Sequence, residues 1–207
     1  NKYQIFPTKY GIPYFIGTNY KFPALALIAS GGHTELILIQ QQGQYERVGA
    51  TKDDAAGECF DKVAKLLGFD YPGGPKISQF AETGNPNAIK FPRPMLREDN
   101  FDFSFAGLKT SALYWLRDHQ LSAMQISPIQ QPAGIFGVQR EGVTINDFCA
   151  SFEQAIIDVL VGKTLKAVEK YKPKTVILGG GVAANKKLRE TMKTSLEKHL
   201  SPISYLL

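Results

Sequence analysis

The sequence predicts an α/β fold. Three observations support this. Apolar, strand-like runs at residues 24–28 and 175–178 each lead directly into a glycine-rich loop. Amphipathic segments with helical spacing of apolar residues lie between them. Near the C-terminus the order helix, strand, glycine loop, helix forms one α/β unit, a unit whose ligands gather at the carboxyl ends of the strands.

The elements follow in chain order. Residues 1–23 are rich in Tyr, Phe, Pro and Gly, show no clear period, and read as a divergent N-terminal segment ahead of a main region spanning 24–207. Residues 24–40 read as two strands turning at Gly31-Gly32. The β-branched and aliphatic side chains of residues 35–39 favour a hairpin over a strand–helix turn. A short strand is expected at 45–48. Residues 53–68 read as a helix, with Asp53 or Asp54 as N-cap, Glu58 in the acidic first turns and Gly68 as the stop. Positions 56, 59, 60, 63, 64 and 67 form its apolar stripe, and Asp61 beside that stripe either faces water or borders a site. Tyr71-Pro72-Gly73-Gly74-Pro75 is a rigid turn.

Residues 84–104 form a Pro-punctuated loop around Phe91-Pro92-Arg93-Pro94. A helix is expected over 105–119, with Leu108, Ala112, Trp115 and Leu116 on one side. The Gln/Pro/Gly-rich residues 120–145 read as a surface loop. Asn146 or Asp147 is expected to cap a long helix to about residue 171, with Phe148, Phe152, Ile156, Val159 and Leu160 inward. Lys172-Pro173-Lys174 ends it, and a final helix begins near Asn185.

Composition narrows the functional classes. The 207 residues carry 24 Lys+Arg against 19 Asp+Glu, a net charge of +5 that mildly favours anionic partners such as nucleotides or RNA. No apolar stretch approaches the ~20 residues of a membrane span, and the N-terminus has no signal-peptide organisation. Cys59 and Cys149 form no metal-type pair and read as buried thiols of a reducing compartment, so a cytoplasmic location is expected. Lys163, Lys166 and Lys170 share one helical spacing, as do Lys186, Arg189 and Lys193. Both rows read as solvated faces in preference to RNA contacts.

The glycine loops carry the chemistry. They are Ala29-Ser30-Gly31-Gly32-His33-Thr34 and Gly179-Gly180-Gly181-Val182-Ala183-Ala184-Asn185. Successive glycines after a strand admit a ligand close to the backbone and aim several N–H groups at one place, which suits phosphate or adenosine. One nucleotide held from two sides of a cleft is the natural reading, and a simple turn is the alternative for either loop taken alone. Neither loop has the Lys-Ser/Thr ending of a P-loop or the G-x-G-x-x-G spacing of a dinucleotide site. His33 is either a phosphate-side donor or a structural residue of its turn.

Six motifs occur in order: Ser30-Gly31-Gly32-His33-Thr34; Asp53-Asp54-Ala55-Ala56-Gly57-Glu58 with Phe60-Asp61-Lys62; Tyr71-Pro72-Gly73-Gly74-Pro75; Phe91-Pro92-Arg93-Pro94; Phe103-Ser104-Phe105-Ala106-Gly107-Leu108-Lys109-Thr110; and Gly180-Gly181-Val182-Ala183-Ala184-Asn185. Together, over residues 22–200, the chain resembles the TsaD family of tRNA N6-adenosine threonylcarbamoyltransferases. The resemblance implies the two-lobed actin/hexokinase-like superfold, here mostly the second lobe, with a nucleotide between lobes. It implies transfer of a threonylcarbamoyl group from threonylcarbamoyl-adenylate to N6 of the adenosine beside the tRNA anticodon. By position it implies that Ile28, Ala29, Ser30, Gly31 and Gly32 contact the adenylate through backbone N–H groups. Asp61 and Gly74 would hold its ribose or threonyl end, and Asn185 its nucleoside, offering both donor and acceptor. The implied partners are tRNA, an inactive paralogue and a small P-loop ATPase, with no membrane.

The resemblance also implies an iron or zinc ion bound by a His-x-x-x-His pair and a C-terminal Asp. His33, His119 and His199 include no i, i+4 pair. The chain is therefore expected to be an internal fragment or truncated member, with ATP, AMP or the adenylate as its nucleotide and no metal ligands of its own. Two other functions compete: a non-catalytic nucleotide-binding scaffold of the same superfold, and a small-molecule kinase. The kinase is disfavoured because no phosphoryl-acceptor base stands out. A protease is disfavoured because neither a Ser/His/Asp set nor His-Glu-x-x-His is present.

Overall fold

A computed structural model of the chain describes residues 21–119 and 142–199, together with the backbone of three short strands: β1 (Ile5–Phe6), β2 (Tyr14–Phe15) and β7 (Ser204–Leu206). Most of the loop expected at 120–145 lies outside these residues. Its last part is described: Gly142 is a turn residue, Thr144 a helix cap and Ile145 the first residue of a helix.

The central strand is β3 (Ala24–Ala29), whose alternating Ala and Leu side chains are buried on both faces. It turns at Ser30–His33 into β4 (Thr34–Gln41) with antiparallel register Ala29↔Thr34 through Ala24↔Ile39, the hairpin that the aliphatic run predicts. β5 (Gln44–Ala50) pairs antiparallel with β4 and extends beyond the expected 45–48. On the other side β6 (Thr175–Gly179) lies parallel to β3, Ala24 facing Thr175 and Ile28 facing Gly179, and β7 lies parallel to β6. The sheet order is β5-β4-β3-β6-β7. The Thr175 hydroxyl fastens the start of β6, accepting from Lys21 N and donating to Lys21 O, each at 3.0 Å.

Leu25, Leu27, Ala29 and Leu36 face a continuous core built with α1 (Ala56–Leu66), α2 (Gly73–Ala81), α3 (Ala106–Asp118), α4 (Ile145–Tyr171) and α5 (Lys186–His199). The stripe predicted for α1 is buried throughout, as are all five inward residues predicted for α4. Phe60, Phe91, Phe148 and Phe152 interlock at the first two turns of α4, Phe60 and Phe91 standing edge-on to Phe152 at 5.9 and 6.0 Å. Gly68 and Lys172 take left-handed backbone conformations that end α1 and α4.

Three expectations need correction. Neither Asp53 nor Asp54 caps α1. The cap is Ala55, and the orphan Ala56 N–H is satisfied from across the hairpin by the buried Thr34 hydroxyl at 2.9 Å. Asp53 instead caps α3, accepting from Phe105 N (2.8 Å) and Ala106 N (3.1 Å) and from the Ser104 hydroxyl (2.5 Å). Asp54 binds Lys62 at 2.7 Å and Lys109 at 2.5 Å. Thr144, not Asn146 or Asp147, caps α4. Asp147 serves at N3 of the same capping box, accepting from Thr144 N at 2.9 Å. Finally, the Lys163 row is no solvated face. Lys163 is buried, with Nζ donating to Asn100 O (2.8 Å), Asn100 Oδ1 (2.9 Å) and Glu98 O (3.3 Å). Lys166 pairs with Asp99 at 3.0 Å, and Lys170 sits over the Phe101 ring. The row clamps residues 98–101 onto α4. Lys186, Arg189 and Lys193 are exposed as expected.

Candidate nucleotide site

Because β3 and β6 are parallel neighbours, the two glycine loops leave the sheet side by side from the carboxyl ends of adjacent strands. They touch. A Cβ on Gly180 would lie 2.2 Å from Ala29 O, and Gly180 has φ +94°, so only glycine fits both the backbone and the contact. The loops thus form one rim of backbone and do not face each other from separate walls.

The first loop is a tight turn held from inside. Ser30 N donates to His33 O at 2.8 Å, and the Ser30 hydroxyl accepts from Gly32 N (3.3 Å) and His33 N (3.0 Å). Gly31, Gly32 and His33 are exposed, and nothing lies within 4 Å of a Cβ built on either glycine. The turn rests on the first turn of α1, where Gly57 N donates to Ser30 O at 3.0 Å. An anion arriving here would find Gly31 N–H at the tip and would compete with the Ser30 hydroxyl for Gly32 and His33.

Asp61 resolves to neither of its two expected settings alone. Half-buried, it accepts through Oδ1 from Gly73 N at 2.8 Å and so caps the start of α2. Asn185 follows the short 3-10 turn Gly181–Ala184 and opens α5. Its Oδ1 accepts from Leu188 N at 2.8 Å, while Nδ2 donates to Glu153 Oε1 (2.6 Å) and Ser78 Oγ (2.9 Å). Ser78 lies one turn along α2 from Gly74. The expected residues are therefore linked by direct contacts: Ile28 to Gly32 through Gly57 to α1, Asp61 through Gly73 to α2, and α2 through Ser78 to Asn185. Both donor hydrogens of Asn185 are engaged within the protein.

Two motifs of the sequence are a strut beneath this rim. Asp53 and Asp54 grip residues 104–109, as described above. Burial pushes the Asp54 carboxyl up, but the Lys109 and Lys62 ammonium groups outweigh it and hold the group below its ordinary value. Arg93 ties its loop to α4 by donating through Nε and Nη2 to Asp158 Oδ2 at 3.0 and 2.9 Å. Burial pushes the Cys59 and Cys149 thiols far up, which fits inert core residues.

Sequence reading missed Thr34, Ser78 and Glu153. Glu153 had a signal: a carboxyl on the inward face of α4 beside Phe152 and Ile156, only 3% exposed, demands a partner.

Among the described residues no three His, Cys, Asp or Glu side chains gather as a metal-holding group. His33 is exposed on its turn, and His119 stacks on Trp115 with Nδ1 2.8 Å from Trp115 O. The described residues do not fit an iron or zinc ion. No described helix is long and apolar enough to cross a membrane.

The family model for TsaD, tRNA N6-adenosine threonylcarbamoyltransferase, matches residues 12–206. The chain belongs to the TsaD family. A TsaD relative named tRNA N6-adenosine threonylcarbamoyltransferase in Geotalea uraniireducens (strain Rf4) is 46% identical over 88% of this chain and 48% of its own length. One of the same name in Bacillus subtilis (strain 168) is 44% identical over 86% of this chain and 46% of its own length. The chain thus spans about half the length of the TsaD relatives it matches. Among solved structures, HypF from T. kodakarensis superposes with a TM-score of 0.59 at 15% identity, covering 88% of this chain and 30% of that one. The likeness agrees with the actin/hexokinase-like α/β fold that the TsaD motifs imply.

Proposed function

We propose that this chain holds the adenylate in a TsaD-type transfer of threonylcarbamoyl to N6 of the adenosine beside the tRNA anticodon. The observation that carries the reading is the junction of the two glycine loops at the carboxyl ends of β3 and β6, the position where α/β sheets receive ligands. The residues 28–32 backbone takes the phosphate, with Gly31 N–H at the exposed tip. Asp61 takes hydroxyl donors and the α2 entrance at Gly74 offers its N–H groups to acceptors at the ribose or threonyl end, and Asn185 takes the nucleoside. His33, exposed beside the turn, donates to the phosphate or relays a proton near it.

In the transfer, the tRNA adenosine N6 bonds to the carbamoyl carbon. The bond from that carbon to the phosphate oxygen breaks, AMP departs with the electron pair, and N6 loses a proton. Pre-placed N–H donors at the phosphate favour this by stabilising the charge that AMP gains. The net charge of +5 suits tRNA as the acceptor. Assembly with an inactive paralogue and a small P-loop ATPase belongs to the same reading.

The test is a nucleoside assay by mass spectrometry. Purified protein receives synthetic threonylcarbamoyl-adenylate and unmodified tRNA, with and without those two subunits. Threonylcarbamoyladenosine in the digest, weakened by Gly31→Ala, is the expected result. Nucleotide binding without product under every combination would instead identify a scaffold.

A further inference from the structure

Asn185 is held by three partners from three different helices. A peptide N–H can only donate, so Leu188 N at 2.8 Å identifies the amide atom beside it as Oδ1. The other end, Nδ2, then gives its two hydrogens to Glu153 Oε1 at 2.6 Å and Ser78 Oγ at 2.9 Å. An asparagine amide has two donor hydrogens and two oxygen lone pairs. Both hydrogens and one lone pair are therefore spent inside the protein, and one lone pair on Oδ1 remains. The shortest of the three bonds runs from Nδ2 to Glu153, a carboxyl 3% exposed on the core face of α4. Burying a carboxyl among Phe152, Ile156 and Ile157 is costly unless it holds a specific partner, and Asn185 is that partner.

We infer that Glu153 is a positioning residue that locks the Asn185 amide with only its oxygen left for a ligand. This point of the site accepts a hydrogen donor, either a ribose hydroxyl or the exocyclic amine of adenine, and gives nothing to an acceptor. The inference rests on the nucleotide reading above and deepens it from a contact to a polarity.

The experiment compares the wild-type protein with E153A, E153Q and S78A by calorimetric titration of AMP. It uses 2′-deoxy-AMP, 3′-deoxy-AMP and purine riboside 5′-monophosphate as donor-deleted probes. Circular dichroism serves as the folding control. Gln keeps an oxygen facing Nδ2, so E153Q should bind AMP within threefold of wild type, while E153A should bind at least tenfold more weakly. One of the three probes should lose about tenfold against AMP in wild type and lose almost nothing further in E153A, which identifies the donor. If E153A does not fold, S78A, which frees the same Nδ2, should reproduce a weaker loss with the same probe selectivity. Equal AMP affinity in E153A and wild type overturns the positioning role and leaves the nucleotide reading standing. Equal affinity of wild type for all four nucleotides overturns the donor requirement. Wild-type protein that binds no AMP overturns the nucleotide reading and the inference with it.

Discussion

Replacing Gly57 by alanine reverses an ordinary expectation. In a helix the change usually stabilises, by up to about 1 kcal/mol, because glycine gives up more backbone freedom. Here the new Cβ would lie 2.6 Å from Ser30 O, 2.7 Å from Ser30 C and 2.8 Å from Gly31 N. All three are backbone atoms of a turn pinned by Ser30 N to His33 O and by Gly57 N to Ser30 O. Ordinary contact at about 3.5 Å requires the turn to retreat by most of an ångström. Overpacking of this kind costs about 1–3 kcal/mol, and stretching the Gly57–Ser30 bond adds about 0.5–1.5 kcal/mol. The helix gain offsets only part, leaving Gly57→Ala roughly 1–3 kcal/mol less stable. Urea unfolding reads the shift in midpoint, with Gly31→Ala as control. Its Cβ meets nothing within 4 Å, so its stability should stay within about 0.5 kcal/mol of wild type. A Gly57→Ala protein as stable as wild type, or more so, would refute the reasoning.

Three further outcomes follow from the same contacts. Asp53→Ala removes the cap of α3 and should destabilise by about 0.5–2 kcal/mol in urea, with Asp53→Asn milder because its Oδ1 can still accept from Phe105 and Ala106 N–H. Lys163→Met leaves the Glu98 and Asn100 oxygens without their donor, costing about 1–3 kcal/mol, and amide exchange should quicken across residues 98–102. The Asp54, Asp102 and Asp147 carboxyls are held below their ordinary value, burial opposing and their lysine, backbone or hydroxyl donors prevailing. A lowered folded pKa adds stability that is present above the unfolded value of 3.8 and is lost as pH falls through the folded ones. Urea midpoints should therefore hold to about pH 4 and fall steeply below it, and a midpoint unchanged down to pH 2.5 would contradict the assignment.

What the sequence made legible was periodic or local. The β-branched and aliphatic run at 35–39 marks the hairpin, and the 56–67 stripe and the apolar side of 148–160 mark α1 and α4, because those patterns report burial directly. Partner choice over long range was hidden. Asp53 stands where an N-cap is expected, yet it caps a helix that begins at Ala106, since the β5–α1 corner brings the 103–106 segment nearer than its own helix. Lys163, Lys166 and Lys170 have a surface spacing, but the carbonyls of residues 98–100 descend to meet them. For α4, the legible signal is the Thr-x-x-Asp box beginning at Thr144, and the adjacent Asn146-Asp147 pair imitates a cap two residues too late. At the site, the glycine loops were legible as ligand loops, while their side-by-side placement came only from the parallel pairing of β3 with β6. The bonds that commit Asn185 were hidden for the same reason: Ser78 and Glu153 lie 107 and 32 residues away in sequence.

The central claim is that both glycine loops and the α2 entrance serve one nucleotide. Amide chemical-shift mapping of the protein during AMP titration tests it most directly. The account predicts saturable shifts at residues 28–33, 57, 73–74 and 180–185 with one common affinity, lost in Gly31→Ala while the fold persists. Shifts confined to one loop, shifts centred on another face such as α3, or none at saturating AMP would contradict it.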